Sequence, residues 1–421
     1  MPEPLPIEPL ASPPDATVVL PGSKSITNRA LVCAFLAEGV SRLEGVLFSD
    51  DTEAMLGVIE TLGALVEVDR PARRVAVGGR GGAIRPGPVT VDVRQSGTTS
   101  RFVTPLVARG EGLYTVDGAP QMRARPMGPQ LAALRALGVD VHGDTLPIAV
   151  RGGIRGGSVT IGGDVSSQFA SGLLLASPGL AEGLDLWLTG DAVSLSYLAL
   201  TTAVMAGFGV EVDTDDERRW TVAADARYRP SDHRIEPDAT AASYFLAAAA
   251  LTGGRVRIEG LGSTSRQGDV AFAEVLAAMG AQVTIDPDAI EVRGTGTLRG
   301  IDVDMSDISD TAQTLAAIAP FADGPTRVSG IGFIRRKETD RIGAVVTELR
   351  RLGIEANEEP DGFLVEPGAP LPGTVETYDD HRMAMSFALV GLVAEGIAIA
   401  DPGCVAKTFP DYFEALDTLR T

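Results

Sequence analysis

The sequence predicts an α/β protein of two domains, each built from three similar repeats. Its 421 residues exceed the size of one ordinary hydrophobic core and favour two domains of roughly 200 residues each. Glycine is abundant, with 49 residues, whereas aromatic residues make up only 5%, which is typical of many short elements joined by tight turns. The third observation is a glycine that ends successive predicted helices at a nearly constant spacing.

Each repeat contains a predicted helix that stops at a glycine and is followed at once by a predicted strand. Successive glycines of this kind are 75, 71, 71 and 73 residues apart: Gly63, Gly138, Gly209, Gly280 and Gly353. Glycine here fits a left-handed helix cap, and the β-branched run beyond it fits a strand. A sixth helix is predicted over residues 410–419. The chain is therefore expected to hold six units of the βα type.

Two of the predicted helices show a clear amphipathic stripe. Their apolar residues recur at spacings of three and four: Phe272, Val275, Leu276 and Met279 in one helix, and Ile342, Val345, Leu349 and Leu352 in the other. These faces are expected to pack into the core.

A polar stretch over residues 228–240, with two prolines, separates three repeats from the next three and marks a domain crossing. The first repeat begins near Val18, so the N-terminal arm is expected to belong with the second half. The predicted domains are residues 17–232, and residues 1–16 together with 233–421.

Charge restricts the classes of ligand. With 36 basic and 56 acidic residues the formal net charge is −20, so the protein as a whole is expected to repel nucleic acid and anionic membranes. An anionic small molecule would need a local cluster of positive charge. The N-terminal segment is acidic and rich in proline, unlike a signal peptide, and no apolar run approaches the ~20 residues of a membrane span. A cytoplasmic location is expected.

The cysteines and histidines do not form a metal-binding pattern. Cys33 and Cys404 are the only cysteines, and the three histidines, His142, His233 and His381, show no HExxH spacing. Neither a disulfide framework nor a metal site is expected.

Candidate binding residues of the first half lie in loops that enter helices, where backbone N–H groups and the helix dipole favour anions. They stand in PGSKSITNRAL (Lys24, Ser25, Arg29), RQSGTTSRF (Gly97, Thr98, Arg101), APQMRARPMG (Arg123, Arg125) and VSSQF (Ser166, Ser167, Gln168). The alternative is a set of capped helix starts with solvated cations. The first segment is no P-loop, because GxxxxGK[ST] is absent.

The second half repeats this placement. Its candidates are Asp310, the run from Arg335 to Arg341 that includes Lys337 and Glu338, then Asp380, His381 and Arg382, and finally Lys407. In a helix starting near this run, Lys337 and Arg341 would share a face, with Glu338 beside them. A salt-bridged surface turn is the alternative.

With these motifs, PGSKSITNRAL, ARPMG, VSSQF, RRKETDRI, DDHRMAM and AKTFPDYF in order, the chain resembles the 5-enolpyruvylshikimate-3-phosphate synthase family over nearly its whole length after residue 17. The resemblance implies the two-domain enolpyruvyl-transferase fold, an inverse α/β barrel or prism in which each domain has three βαββαβ units with pseudo-threefold symmetry. It also implies an active site in the cleft between the domains. The reaction would join phosphoenolpyruvate to the 5-hydroxyl of shikimate 3-phosphate and release phosphate, without cofactor or metal. A monomer is expected, although the sequence itself does not fix the oligomeric state.

The resemblance also implies residue roles. Shikimate 3-phosphate would be held by Lys24, Ser25, Arg29, Ser166, Ser167, Gln168, Ser194, Asp310 and Lys337. Phosphoenolpyruvate would be held by Lys24, Gly97, Arg125, Gln168, Arg341, Arg382 and Lys407, with Arg101 supporting the Gly97 loop. Asp310 would accept the hydroxyl proton, and Glu338 or Lys24 would protonate the methylene carbon.

The chain departs from the family pattern at several positions. Phe333 stands where asparagine is common, Gln95-Ser96 replaces Asn-Ala, Phe102 replaces proline, and Leu195-Ser196 replaces Lys-Pro. Altered packing behind the phosphoenolpyruvate pocket is therefore expected, and with it a changed affinity for phosphonate analogues of phosphoenolpyruvate.

Two other functions compete with this one. The sister enzyme that transfers enolpyruvyl to UDP-N-acetylglucosamine carries a cysteine in the loop before the residue matching Arg125, and this loop has none. A protein that binds phosphorylated small molecules without catalysis would lack the acid or base, but Asp310 and Glu338 are present. A dinucleotide enzyme is disfavoured because there is no GxGxxG motif.

Overall fold

The computed structural model describes residues 3–164, 166–190, 193–215 and 218–420. The chain divides into two compact units. The inserted unit is Gly22–Glu236, and the flanking unit combines Met1–Pro21 with Pro237–Thr421. Each unit has its own hydrophobic core.

Two strands precede the inserted unit: β1 (Leu5–Ile7) and β2 (Asp15–Val18). The inserted unit has seven described helices: α1 (Lys24–Leu36), α2 (Asp50–Thr61), α3 (Gly97–Val107), α4 (Pro120–Arg123), α5 (Gly128–Ala136), α6 (Ser167–Ala176) and α7 (Leu195–Gly207). Its described strands are β3 (Glu38–Glu44), β4 (Leu65–Asp69), β5 (Arg74–Arg80), β6 (Val89–Asp92), β7 (Leu113–Asp117), β8 (Asp140–His142), β9 (Ile148–Arg151), β10 (Gly157–Gly162), β11 (Leu184–Thr189), β12 (Asp213–Asp215), β13 (Arg219–Val222) and β14 (Asp232–Arg234).

The rest of the flanking unit follows. Its described helices are α8 (Ala239–Thr252), α9 (Phe272–Ala278), α10 (Ala312–Ile318), α11 (Arg341–Arg351), α12 (His381–Gly391) and α13 (Tyr412–Asp417). Its described strands are β15 (Arg255–Glu259), β16 (Gln282–Ile285), β17 (Ala289–Arg293), β18 (Asp302–Asp304), β19 (Thr326–Ser329), β20 (Ala356–Glu359), β21 (Gly362–Val365), β22 (Gly373–Val375) and β23 (Ile397–Ile399).

Within the described residues, each unit has three sheets that follow one plan. In the inserted unit the strand orders are β14-β3-β5-β4, β6-β7-β9-β8 and β10-β11-β13-β12. In the flanking unit they are β2-β15-β17-β16, β18-β19-β21-β20 and β22-β23-β1. The first two strands of each sheet are parallel, and the later ones pair antiparallel. The α/β fold class with three repeats in each unit is confirmed.

The order of elements within a repeat differs from the expected βαββαβ. It is β-α-β-α-β-β, as in the run β6, α3, β7, α5, β8 and β9. The two parallel strands need a helical crossover between them, whereas the two final strands are joined by a short turn. The hairpin therefore ends the repeat and does not separate its helices.

The boundaries between the units lie a few residues beyond those predicted. Strand β2 pairs with β15, so the chain as far as Pro21 stays with the flanking unit. Strand β14 pairs with β3, so the chain as far as Glu236 stays with the inserted unit. In each unit, one sheet thus takes its first strand from a segment that is distant along the chain, β2 in the flanking unit and β14 in the inserted unit. The polar stretch between the halves does not reveal this pairing.

The five helix-ending glycines are confirmed, since each has a positive φ between 78° and 110°. Each is followed within a few residues by the first strand of a hairpin, β4, β8, β12, β16 or β20. The residues of both predicted apolar stripes are buried.

Three helices form the centre of each unit. In the inserted unit α1, α3 and α6 pack against one another, and every residue of α3 is buried. In the flanking unit α8, α10 and α12 do the same, and every residue of α12 is buried. Among the residues that the structure describes, no helix is long and apolar enough to cross a membrane.

Candidate active site

The three central helices of the inserted unit begin at residues that the sequence singled out. Lys24 opens α1, Gly97 opens α3 and Ser167 opens α6. A serine hydroxyl caps each start, accepting hydrogen bonds from Ile26 N at 3.4 Å, Thr99 N at 3.1 Å and Gln168 N at 3.3 Å: Ser23, Ser96 and Ser166. The remaining N–H groups and the helix dipoles make these ends favourable for anions.

Two further residues of the predicted shikimate-phosphate set lie at such helix ends. Ser25 is half-buried in the first turn of α1, and Ser194 precedes α7. Ser194 is buried and adopts the left-handed conformation, with φ 56° and ψ 47°. A serine in this conformation is uncommon and is characteristic of constrained local geometry.

Lys24 is paired with a carboxylate of its own unit. Its Nζ lies 3.4 Å from Oδ2 of Asp51, a residue in the first turn of α2. The Asp51 side chain is only 3% exposed and that of Lys24 is 14% exposed, so the ammonium group is partly shielded from water. Sequence reasoning did not select Asp51.

Arg29 is almost completely buried, with 1% exposure. Its described hydrogen bonds all go to neutral oxygens: Nε to Thr201 Oγ1 at 2.8 Å, Nη1 to Ser25 O at 2.9 Å, and Nη2 to Tyr197 O at 3.3 Å and Ser171 Oγ at 3.5 Å. Its guanidinium also lies 5.1 Å from the centre of the Phe102 ring. Burial lowers the pKa of Arg29 to about 10, which still leaves the group charged at neutral pH.

Two guanidinium groups converge on Gly97. A Cβ added to this glycine would stand 2.3 Å from Arg101 Nη1 and 2.6 Å from Arg125 Nη1. Arg101 is held from behind by the Phe169 ring, 5.4 Å from its guanidinium carbon, and donates to Pro126 O at 3.3 Å. The expected support of the Gly97 loop by Arg101 therefore has a geometric basis.

Gln168 joins two of the helix starts, since its Nε2 donates to Thr98 Oγ1 at 3.3 Å. Arg123, by contrast, makes a two-pronged pair with Asp117, at 2.9 and 2.7 Å, on the surface. Arg123 and Arg125 thus have different surroundings although they are two residues apart.

In the flanking unit five of the predicted residues form one network around Arg341. Arg341 donates from Nη1 to Asp310 Oδ1 at 3.1 Å and from Nη2 to Glu338 Oε2 at 2.7 Å. The other oxygen of Asp310 accepts from Arg382 Nη2 at 2.6 Å. The other oxygen of Glu338 lies 3.5 Å from Lys407 Nζ. Each proposed proton-transfer carboxylate is therefore held between two cations.

Asp380, a candidate of the second half to which the resemblance gave no role, completes this network. Its Oδ2 accepts from Arg341 Nε at 2.7 Å and its Oδ1 from Arg341 Nη2 at 3.3 Å. Burial by itself would lower the pKa of Arg341, but Asp380, Glu338 and Asp310 outweigh it and raise that pKa above its ordinary value. Arg341 is thus a permanent cation shared by three carboxylates.

Lys337 lies outside the helix that the sequence placed there. Helix α11 begins only at Arg341, with Asp340 as its cap, and Lys337 directly follows a preceding 3-10 segment, Gly332–Arg336. Asp340 Oδ1 accepts from Ile342 N at 3.2 Å and Gly343 N at 3.0 Å, which fixes the start of the helix. The expected shared helical face of Lys337 and Arg341 is therefore wrong. Lys337 Nζ lies 5.7 Å from the centre of the Phe333 ring.

A second residue that sequence reasoning missed is Asp269, in the 3-10 segment Gly268–Ala271. Its buried carboxyl accepts a hydrogen bond from the Thr240 hydroxyl. Burial, reinforced by the charge of Asp310, raises the pKa of Asp269 to about 7. No motif pointed to this residue, whereas Asp380 stands inside DDHRMAM and Asp51 follows a helix-capping serine, Ser49.

Comparisons with known proteins agree with the predicted family. The family profile described as EPSP synthase (3-phosphoshikimate 1-carboxyvinyltransferase) matches residues 11–416. A 3-phosphoshikimate 1-carboxyvinyltransferase of Nostoc punctiforme is 48% identical over 409 residues, covering 96% of both chains. One from Serratia proteamaculans is 44% identical, covering 96% of this chain and 95% of its own. The solved EPSP synthase of Acinetobacter baumannii is similar in structure, with a TM-score of 0.81 at 26% identity, covering 99% of this chain and 98% of that one.

Proposed function

This chain belongs to the EPSP synthase family and is a 3-phosphoshikimate 1-carboxyvinyltransferase, and we propose that both of its units supply side chains to the reaction. The enzyme transfers the enolpyruvyl group of phosphoenolpyruvate to the 5-hydroxyl of shikimate 3-phosphate and releases phosphate. The names of the relatives favour this acceptor over UDP-N-acetylglucosamine. Both substrates carry several negative charges, so catalysis requires fixed cations that offset their repulsion.

The observation that carries the assignment of shikimate 3-phosphate is the charge of Arg29. A buried cation whose described partners are all neutral is costly unless an anion joins it. The proposed set also includes polar side chains at the starts of α1, α6 and α7, which suit a phosphate and a hydroxylated ring: Ser25, Ser166, Ser167, Gln168 and Ser194. Lys24 and, from the flanking unit, Lys337 and Asp310 complete the proposed set.

Phosphoenolpyruvate is assigned to the remaining cations. Arg125 converges with Arg101 on Gly97, where the missing side chain leaves room for both guanidinium groups. The flanking unit supplies Arg341, Arg382 and Lys407, and Lys24 and Gln168 serve both substrates. Arginine suits a carboxylate or phosphate because its planar fork donates two bonds at once.

In the proposed addition step, Asp310 takes the proton of the 5-hydroxyl of shikimate 3-phosphate. The oxygen of that hydroxyl bonds at the same time to the central carbon of phosphoenolpyruvate. Arg341 and Arg382, each bonded to one Asp310 oxygen, keep this carboxylate ionised and oriented as a base. Glu338 gives a proton to the methylene carbon, which becomes a methyl group. The product is a tetrahedral adduct.

In the elimination step these transfers reverse. Glu338 removes a proton from the methyl group, the carbon–oxygen bond to phosphate breaks, and the proton held by Asp310 leaves with the phosphate. To act as an acid, Glu338 must first be protonated. An anionic substrate that drew Lys407 and Arg341 toward itself would weaken their hold on Glu338 and favour its protonated form. Lys24 remains the alternative proton donor.

Single substitutions of Arg29 and Arg125 test which substrate each arginine binds. Arg29→Gln should raise the KM for shikimate 3-phosphate at least tenfold and change that for phosphoenolpyruvate much less, and Arg125→Gln should do the opposite. Phosphate release is measured with each substrate varied in turn. Arg123→Gln is the matched control, since Arg123 is paired with Asp117 at the surface. Equal effects of the two substitutions on both KM values would contradict the assignment.

We also propose that the enzyme works in the cytoplasm as a monomer that does not bind nucleic acid. The net charge of −20 opposes binding to a polyanion. Light scattering during gel filtration tests the first point, with one chain of 43.8 kDa expected. A stable dimer would contradict it.

A further inference from the structure

The loop that leads into α12 has an unusual backbone. Tyr378 and Asp379 are consecutive non-glycine residues in the left-handed region, with φ values of 56° and 57°. This conformation is unfavourable for residues with a side chain and persists only where surrounding contacts enforce it. The following residue is Asp380, which binds Arg341. The strain thus lies immediately next to the catalytic network.

Glu348, on α11, holds the first part of this loop. Its carboxylate is fully buried and accepts from the backbone N–H of Glu376 at 3.0 Å and from the Tyr378 hydroxyl at 2.6 Å. Arg351, half-exposed, donates to the same carboxylate at 3.0 Å. A buried carboxylate with several donors holds those donors firmly in place, because moving one of them away would leave part of the carboxylate's charge unsatisfied.

Asp380 holds the other end of the loop. It is fully buried, caps α12 by accepting from Arg382 N at 2.9 Å, and takes two hydrogen bonds from Arg341, the first residue of α11. The loop is therefore fastened twice to the same helix, near its start through Asp380 and near its end through Glu348. Two bonds to one carboxylate also fix the plane of the guanidinium.

We propose that Asp380 is a positioning residue of the transfer reaction and that Glu348 supports it by fixing the loop of residues 376–380. The carboxylate of Asp380 orients Arg341 so that its two terminal nitrogens meet Asp310 and Glu338 together. This inference rests on the proposed roles of Asp310 and Glu338. Neither Asp380 nor Glu348 is assigned to contact a substrate.

The two carboxylates face a defined set of groups. Those around Asp380 are Arg341 from α11, His381 and Arg382 from α12, Tyr244 from α8, and Cys404 from the 3-10 segment Pro402–Lys407. Those around Glu338 include Arg341 and Lys407. If Asp380 loses its charge, the positive charge of Arg341 acts more strongly on Glu338 and Asp310. Glu338 would then lose its proton at a lower pH.

Asp380→Asn and Glu348→Gln test the proposal. Asparagine caps a helix as well as aspartate does, and glutamine keeps one acceptor oxygen, so both variants preserve shape. We expect kcat to fall at least tenfold in Asp380→Asn and severalfold in Glu348→Gln, with KM values changed less than threefold. In both, the basic limb of the kcat–pH profile should move to lower pH.

Two variants serve as controls. Arg351→Gln removes only the half-exposed partner of Glu348 and should leave kcat and the pH profile unchanged. Tyr378→Phe removes one bond between the loop and Glu348 and should reproduce the Glu348→Gln effect in milder form, even if Glu348→Gln does not fold. The proposal would be overturned if Asp380→Asn lowered the melting temperature but left kcat and the pH profile unchanged. The same result in both Glu348→Gln and Tyr378→Phe would also overturn it.

Glu338→Gln and Asp310→Asn, assayed alongside, separate this inference from the proposed function. If they keep their turnover, the catalytic roles are wrong and the positioning proposal falls with them. If they lose turnover while Asp380→Asn behaves like the unmodified enzyme, only the positioning proposal is wrong.

Discussion

Asp51 forms an ion pair with Lys24 at the point where two helices begin, with 3.4 Å between Oδ2 and Nζ. Because Lys24 is proposed to touch both substrates, the pair sets the position of a central cation. Asp51→Asn should therefore lower kcat/KM by about 10- to 100-fold, since charged hydrogen bonds contribute about 1.5 to 3 kcal/mol. Initial rates of phosphate release measure this loss.

The control for Asp51 is Glu53→Gln on the same helix. Glu53 pairs with the exposed Arg70, and exposed pairs contribute little. Its kcat/KM should stay within twofold of the unmodified enzyme. A similar loss in both variants would show that helix α2 as a whole is sensitive and would remove the special role of Asp51.

Gly97→Ala should selectively weaken phosphoenolpyruvate binding. The new Cβ would stand within 2.6 Å of a nitrogen of both Arg101 and Arg125, so at least one guanidinium must move. We expect the KM for phosphoenolpyruvate to rise at least tenfold, while that for shikimate 3-phosphate changes less than threefold. Gly128→Ala, where the added Cβ meets nothing within 4 Å, is the control. Unchanged kinetics in Gly97→Ala would place the substrate elsewhere.

Two aromatic rings behind arginines should distinguish the two substrates. Phe102 lies 5.1 Å from the Arg29 guanidinium, and Phe169 lies 5.4 Å from that of Arg101. Stacking of this kind contributes about 0.5 to 2 kcal/mol, which corresponds to an effect of about 2- to 30-fold. Phe102→Leu should raise the KM for shikimate 3-phosphate, and Phe169→Leu that for phosphoenolpyruvate, in titrations of each substrate. Reversed preferences would contradict the assignment.

Asp269 should make stability depend on pH. Its pKa of about 7 in the folded protein is above that of an unfolded aspartate, so the folded state holds the extra proton between about pH 4 and pH 7. The stability of the protein therefore falls as pH rises through this window. Asp269→Asn removes the effect and should be more stable than the unmodified protein at pH 8 by on the order of 3 kcal/mol, but not at pH 4.

Urea unfolding at several pH values checks this prediction. Asp302→Asn, at a side chain that is 74% exposed, is the control and should show no such crossover. A constant difference between Asp269→Asn and the unmodified protein at every pH would mean that the carboxyl does not titrate in this range.

The sequence was sufficient for features that depend on local backbone chemistry. Glycines such as Gly63 and Gly353 mark helix ends because their positive φ is unfavourable for other residues. The helix starts at Lys24, Gly97 and Ser167 follow from serine caps and the charged loops before them. The family and its reaction could be predicted from motifs for the same reason, because each of these motifs lies at the start of a helix.

Features that depend on distant segments could not be predicted in this way. The exchange of first strands between repeats moved both unit boundaries, because β2 and β14 pair with strands far along the chain. The roles of Asp51 and Asp380 depend on the cations that pack against them, Lys24 and Arg341, and these contacts are not visible in the sequence. The raised pKa of Asp269 depends on its burial and on the charge of Asp310, and no local sequence pattern encodes either.

Phosphate release by the unmodified enzyme tests the central claim most directly. The purified protein is given phosphoenolpyruvate with shikimate 3-phosphate, with UDP-N-acetylglucosamine, or with no acceptor. We predict that phosphate is released rapidly only when shikimate 3-phosphate is the acceptor, with one enol ether formed for each phosphate. Release that does not need shikimate 3-phosphate, or that proceeds equally with the nucleotide sugar, would contradict the account.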